Sequence, residues 1–178
     1  MKRTLIISGI IIGIIAIIVV GLVTIFPIKY KNEIYKYSKK YKLPASLVAS
    51  VINIESGYDR HAESKVGARG LMQILPTTGI ECAERMKIDF DIDDLWEVGT
   101  NIEIGCYYLS YLLEIFNGNI INTLCSYNWG LGNVREHIAS GNVDSDGTIT
   151  NIPVEETRSY VKKYKVSCVV YKTIYRYD

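Results

Sequence analysis

The chain has 178 residues, 48% of them hydrophobic, and its 20 Lys+Arg against 19 Asp+Glu leave a formal charge of +1. That balance excludes a disordered polyelectrolyte and a dedicated nucleic-acid binder, each of which needs a large excess of one sign. The length left after an apolar N-terminus suffices for one domain with its own core.

Leu5 to Phe26 is a run of 22 residues without a charge. As a helix rising about 1.5 Å per residue it would cross a hydrocarbon layer about 30 Å thick. A secretory signal has a shorter apolar core and small residues at its cleavage site, whereas this run ends Val23-Thr24-Ile25-Phe26-Pro27. Residues 1–27 therefore read as an uncleaved transmembrane anchor, embedded through residues 5–26, the alternative being a long signal peptide with an unusual cut. Residues 28–42 form a basic juxtamembrane segment, helix or linker, with Lys29, Lys31, Lys36, Lys39, Lys40 and Lys42 opposed by Glu33 alone. A literal positive-inside count would hold the rest of the chain in the cytoplasm, a rule that weakens for long translocated domains. From Leu43 onward 12 basic and 18 acidic residues give −6, so no basic groove for nucleic acid is visible.

Residues 43–178 read as a single globular, mainly α-helical domain. Pro44 opens a helix whose apolar stripe includes Leu47, Val48, Val51 and Ile52, and Gly57 is placed to end it. Tyr58 to Leu75 is Gly- and Ser-rich and reads as loop, with room for a short hairpin. Pro76 starts a helix to about Met86. A long helix from about Gly99 to Phe116 carries Ile102, Cys106, Leu109, Leu113 and Phe116 at spacings of four, three, four and three. Shorter helices cover about 120–128 and 133–139, a turn-rich loop covers 140–152, and Pro153 opens a last helix striped by Val154, Thr157, Val161, Tyr164, Cys168 and Tyr171. Cys82, Cys106, Cys125 and Cys168 form no Cys-x-x-Cys and share no metal-like spacing with His61 or His137, so they read as buried free thiols, while export would permit disulfides. Both histidines are expected at the surface.

Glu55 falls at i+7, i+4 and i+3 from Val48, Val51 and Ile52, so it projects from the apolar stripe of its helix. Burial and a place in the last turn both push a carboxyl pKa upward, which is how a glutamic acid stays protonated near neutrality and serves as a general acid. The competing reading is a buried Glu paired with Arg69 or Arg158. Downstream, Gly67 and Gly70 let the backbone approach a ligand, and Gln73 offers a donor and an acceptor. Ser126-Tyr127-Asn128-Trp129-Gly130 sets a phenol and an amide at a helix end. Glu156 and Tyr160 lie at i and i+4 on one helix face. Trp129, Tyr107, Tyr108 and Tyr111 either pack or line a groove.

Taken together, Glu55-Ser56, Ser64, Gly70-Leu71-Met72-Gln73, Tyr127-Asn128-Trp129-Gly130 and Glu156-Thr157-Arg158-Ser159-Tyr160-Val161 resemble the soluble lytic transglycosylase-like domain of the goose-type-lysozyme-like superfamily, over about residues 42–165. The resemblance implies a lysozyme-like α+β fold and a peptidoglycan lytic transglycosylase, which cleaves the β-1,4 bond between N-acetylmuramic acid and N-acetylglucosamine without water and leaves 1,6-anhydro ends. It implies Glu55 as the single catalytic acid/base, Ser64 and Gln73 as residues orienting the muramyl sugar, Tyr127 beside the carboxyl with Asn128 in the same substrate-binding element, and Glu156 and Tyr160 on a groove-closing helix. Glycan strands are the implied partner, with envelope-machine proteins as further candidates, and neither a metal nor an organic cofactor is implied. An extracytoplasmic domain on a single-pass anchor is the placement that substrate requires. Arg60, Leu75, Cys125, Ser126 and Trp129 depart from residues common in the family.

A carboxylate count made without the resemblance agrees. Most glycosidases need two carboxylates flanking the bond, yet no Asp or Glu lies between Glu63 and Glu81. One alternative is a muramidase that hydrolyses the same bond with water held by Asp59 or Asp91. Another is an inactive glycan-binding scaffold.

Overall fold

The computed structural model describes residues 2–177, with the backbone alone for residues 2–6 and 8. Its helices are α1 Lys2–Ile25, α2 Lys31–Lys40, α3 Ala45–Ser56, α4 Pro76–Met86, α5 Val98–Ile115, α6 Ile120–Trp129, α7 Leu131–Ala139 and α8 Glu155–Val169. A 3-10 turn at Ile92–Trp96 precedes α5, and a π turn at Val170–Ile174 continues α8. The sequence pattern shows neither turn, because both arise from local packing and not from periodicity.

Boundaries follow side-chain chemistry. Pro44 (φ −59) precedes α3, and Gly57 ends it in the left-handed region at φ 59, where a Cβ is disfavoured. Pro76 takes the first turn of α4, where its missing N–H leaves no bond unmade. The Asn119 side chain accepts the Asn122 N–H and starts α6, and Asp91 and Asp94 close a reciprocal capping box on the 3-10 turn.

The α+β expectation is corrected. Among the described residues there is no strand, and only isolated bridges join Glu63 to Arg69, Arg69 to Ile74 and Val143 to Ile149. The first two are the remnant of the short hairpin expected in the 58–75 loop. The expected transmembrane segment forms a helix of 24 residues. Among the described residues, however, no helix is long and apolar enough to cross a membrane.

α3 is the axis of the core. Leu47, Val48, Ala49, Val51 and Ile52 are fully buried between α2, α8 and the π turn. Each such Leu, Ile or Val contributes about 1.5–3 kcal/mol by leaving water. α2 is a packed helix and not a linker: Ile34 and Tyr37 enter the same core, and Lys40 reaches Glu103 of α5 at 2.5 Å. A second cluster of Cys125, Val134, Ile149 and Val161 joins α6, α7 and α8 to the 140–152 loop. In α5, Leu112 is fully buried and Leu113 only partly. The four cysteines are free thiols, Cys168 half-buried and the others buried. Burial pushes the Cys82 thiol up to about 12 and Cys125 up to about 11, which makes them unreactive near neutral pH.

Tyrosines tie the two ends of the domain together. The Tyr171 hydroxyl donates to the Pro27 carbonyl at 3.0 Å, its ring meets Phe26 edge-on at 6.2 Å, and Tyr58 lies between Tyr30 and Tyr171 at 6.5 and 6.3 Å.

Candidate active site

Glu55 lies in the last turn of α3, half-buried, and accepts a hydrogen bond from the Tyr160 hydroxyl of α8 at 2.8 Å. Burial raises its carboxyl from 4.5 to about 7, with the negative charge of Glu156 adding, and the Tyr160 bond and Lys163 opposing. The competing reading of a buried ion pair is not what the structure shows. Arg69 engages Asp93 at 3.0 Å and Glu63 at 3.8 Å, and Arg158 binds Glu155. An unpaired half-buried carboxyl relieves its desolvation by keeping its proton.

Tyr127 of α6 is brought in beside it, and its hydroxyl donates to the Met72 carbonyl at 2.8 Å. Burial first, then the Glu55 charge, hold that phenol well above its ordinary value. It is therefore a neutral donor at working pH. Tyr160 is held up in the same way, by burial and by Glu55.

The loop that carries Gln73 is shaped from below by Asn101, a residue sequence reasoning missed. Asn101 is 1% exposed. Its Nδ2 donates to the carbonyls of Arg69 and Leu95 at 2.9 and 2.8 Å, and its Oδ1 accepts the Met72 N–H at 2.8 Å. Gly70 (φ +73) lies against this amide, and a Cβ there would stand 2.5 Å from the Leu95 carbonyl oxygen. The signal in the sequence was a polar amide beside Ile102 on a helix with a buried face. Ser56 adds a second tie by donating to the Leu71 carbonyl at 2.8 Å.

Gln73 itself adopts φ 48, an uncommon conformation for a residue with a side chain. Its Nε2 donates to the carbonyls of Ala62 and Gly70 at 2.9 and 3.0 Å. The expectation of both a donor and an acceptor is corrected: both amide hydrogens are spent, and the side-chain carbonyl is what remains for a ligand. Ser64 shapes the same loop. Its hydroxyl oxygen accepts the Ala68 N–H at 3.0 Å, leaving its own hydrogen to donate.

A cleft of about 270 Å³ opens here, lined by Gln73, Leu75, Tyr108, Tyr127, Asn128 and Trp129. Tyr108 packs on Tyr127 at 5.5 Å and so both packs and lines. Trp129 does likewise, edge-on to His137 at 5.6 Å. His137 is half-buried, its Nε2 2.9 Å from the Thr150 carbonyl, while His61 is exposed as expected. Asn128 joins α6 to α8: its Oδ1 accepts from Thr157 at 2.7 Å and its Nδ2 reaches Glu156 at 3.4 Å. Of the expected site residues only Gln73, Tyr127 and Asn128 line the cleft; Glu55, Ser64, Glu156 and Tyr160 do not, and neither do Asp59 and Asp91. Glu55 is connected to it through Tyr127, on whose phenol its charge acts. Asp59 accepts the His61 N–H at 2.9 Å, and Asp91 caps the 3-10 turn. Among the described residues no group of three or more His, Cys, Asp or Glu is placed to hold a metal ion. A larger hollow, about 660 Å³, lies elsewhere, between Asn117–Asn122, Arg135 and the 146–147 turn.

The chain is a helical body with a half-buried carboxyl acting on Tyr127, a wall of a polar, aromatic cleft. It belongs to the Transglycosylase SLT domain family, which it matches over residues 32–148. That range includes Glu55, Ser64, Gln73, Tyr127 and Asn128 and ends before α8. The chain is 33% identical over 156 residues to the soluble lytic murein transglycosylase of Escherichia coli, covering 85% of this chain and 24% of that protein. It is 29% identical over 141 residues to membrane-bound lytic murein transglycosylase D of the same organism, covering 78% and 30%. Among solved structures it superimposes on an inactive Glu→Gln variant of the lytic transglycosylase Slt from Pseudomonas aeruginosa with TM-score 0.80, 28% identity and coverage of 88% and 26%. On the 70 kDa soluble lytic transglycosylase of Escherichia coli it does so with TM-score 0.77, 32% identity and coverage of 84% and 25%. The chain thus spans about a quarter of the length of these relatives.

Proposed function

We propose that the chain is a peptidoglycan lytic transglycosylase in which Glu55 acts as both acid and base. The observation that carries this reading is a half-buried carboxyl in no ion pair, raised to about 7, held by the Tyr160 hydroxyl and acting on Tyr127, a wall of the cleft. In the first step the Glu55 carboxylic acid gives its proton to the glycosidic oxygen, and the bond from the muramyl C1 to that oxygen breaks. In the second, the C6 hydroxyl oxygen of the same sugar bonds to C1 and its proton passes to Glu55. The acid is regenerated, and no water is consumed.

Tyr160 holds the carboxyl in place, and neutral Tyr127 presents no competing charge. Gln73 through its carbonyl and Ser64 through its hydroxyl hydrogen orient the muramyl sugar, with Asn128 binding from α6 and Glu156 closing the groove from α8. General acid/base action supplies roughly 10²–10⁴-fold, the remainder coming from groups that stabilise the oxocarbenium-like state.

The catalytic unit in this reading is residues 43–178, with the 28–42 segment packed against it through α2. Residues 1–27 anchor it in a membrane with the domain extracytoplasmic, where glycan strands and envelope-machine proteins are within reach. Support comes from the 22 uncharged residues, the continuous α1 helix and a relative that is itself named membrane-bound.

The test is the mass of muropeptides released from purified sacculi by the full chain in detergent. Anhydro ends are expected. Reducing muramic ends carrying an added water would replace the proposal with a muramidase, and no release at all would leave a glycan-binding scaffold.

A further inference from the structure

Along α8, Glu156, Tyr160, Lys163 and Ser167 succeed one another at spacings of four, three and four and share one helix face. The first two belong to the Glu55 site. The last two lead into a separate hollow of about 490 Å³ where α8 meets the end of α1 and the end of α3. Its apolar walls are Ile25, Phe26, Ile54 and Val166, and its polar members are Asn53, Lys162, Lys163 and Ser167. Ser167 is 1% exposed, and its Oγ is buried without a hydrogen-bond partner. A buried hydroxyl left unpaired is an unmet demand for a ligand atom or water.

The surface around this hollow continues the same chemistry. Val166, Val169 and Ile174 are 59%, 63% and 53% exposed, and they alternate with exposed Lys162, Lys165 and Lys172. Apolar side chains at the boundary with lysines beside them are the composition of a surface that rests on anionic lipid. The position agrees: Tyr171 holds Pro27 and packs on Phe26, so the hollow adjoins the end of the apolar helix.

We propose that this hollow seats the headgroup of an anionic phospholipid, with Lys162 and Lys163 facing the phosphate, Ser167 donating to it and the apolar wall meeting the upper acyl chain. The occupant is argued from charge complementarity and from continuity with α1, and it rests on the anchored reading above. The seat fixes the catalytic face relative to the bilayer.

The experiment uses the full chain in non-ionic detergent, titrated with short-chain phosphatidylglycerol, short-chain phosphatidylcholine or inorganic phosphate, with thermal unfolding as the readout. Phosphatidylglycerol is expected to raise the melting temperature saturably, the other two are not, and Lys162→Glu and Val166→Asp are each expected to weaken the apparent affinity at least about tenfold, the factor that about 1.4 kcal/mol gives. Both substitutions are at exposed positions, so the unliganded melting temperature reports that the fold survives. Equal stabilisation by phosphatidylcholine, full stabilisation by inorganic phosphate, or unchanged binding by both variants would overturn the proposal. Alkaline carbonate extraction of cell membranes separates the two readings. A chain that is released yet saturates with phosphatidylglycerol disproves the anchor and keeps the seat, and a chain that is retained yet does not saturate does the reverse.

Discussion

The cleft walled by Tyr127 and the larger hollow by Arg135 differ in the property that matters for chemistry. The larger one, about 660 Å³, is bordered by polar groups that already satisfy each other: the Asn122 amide donates to the Gly147 carbonyl at 2.8 Å and accepts the Ile149 N–H at 2.8 Å. The smaller one, about 270 Å³, is walled by Tyr127, on which the charge of the nearby Glu55 carboxyl acts; that carboxyl forms no ion pair and is raised to about 7. Volume arises where helices diverge. Reactivity arises where a titratable group is held away from water outside any ion pair.

Four substitutions break or sharpen this contrast. Glu55→Gln is expected to have the largest effect, reducing glycan cleavage by at least the roughly 10²–10⁴-fold attributed to general acid/base action, as read by muropeptide release. The same variant should be more stable than the parent at high pH. The folded-state value of about 7 exceeds the ordinary 4.5, so between those values the folded chain holds a proton that the unfolded chain releases. Parent stability therefore falls as pH rises through that window. Above it the glutamine variant gains on the order of 2–3 kcal/mol, and below about pH 4.5 the gain vanishes, which thermal unfolding across pH would show.

Asn101→Ala should destabilise by about 2–4 kcal/mol, since it leaves the Met72 N–H and the Leu95 carbonyl without their amide partner and the Arg69 carbonyl with the Ile74 N–H alone. It should also lower activity through the displaced Gln73 loop, and urea denaturation measures the first effect. Tyr160→Phe comes next, with a loss of roughly tenfold in kcat, the equivalent of one hydrogen bond to a charged group. The Tyr160 bond lowers the Glu55 value, so its removal should move the carboxyl, and with it the alkaline limb of the activity profile, to higher pH. Arg135→Ala in the larger hollow should be nearly silent, within about 0.5 kcal/mol and with an unchanged pH profile. A profile that moved with Arg135 and not with Tyr160 would reverse the comparison.

Much of this was legible in the chain. Helix ends marked by Pro44, Gly57 and Pro76 fell where those residues dictate, and the projection of Glu55 from the stripe of Val48, Val51 and Ile52 was a matter of helical period. What periodicity could not show is what depends on contacts distant in sequence. Whether Glu55 met Arg69, Arg158 or Tyr160 was decided by how α8 crosses α3, and the partners of Asn101 lie in the 69–72 loop and the 3-10 turn. The donors of Gln73 were counted as free because nothing in the sequence places the Ala62 and Gly70 carbonyls beside them. The α+β expectation failed because the loop around Arg69 closes through single bridges, with Asn101 replacing the ladder a strand would have made.

The tyrosine contacts that join Pro27 to Tyr171 and Tyr30 to Tyr58 leave almost no slack between the end of α1 and the turn just after Glu55. With α1 in a bilayer, the carboxyl works at a fixed height set by the thickness of one small domain, whose radius of gyration is about 15 Å. On the proposed function, that tether would confine cleavage to the layer of wall nearest the membrane. Lengthening the 28–30 segment would be the simplest way to let it trim farther out.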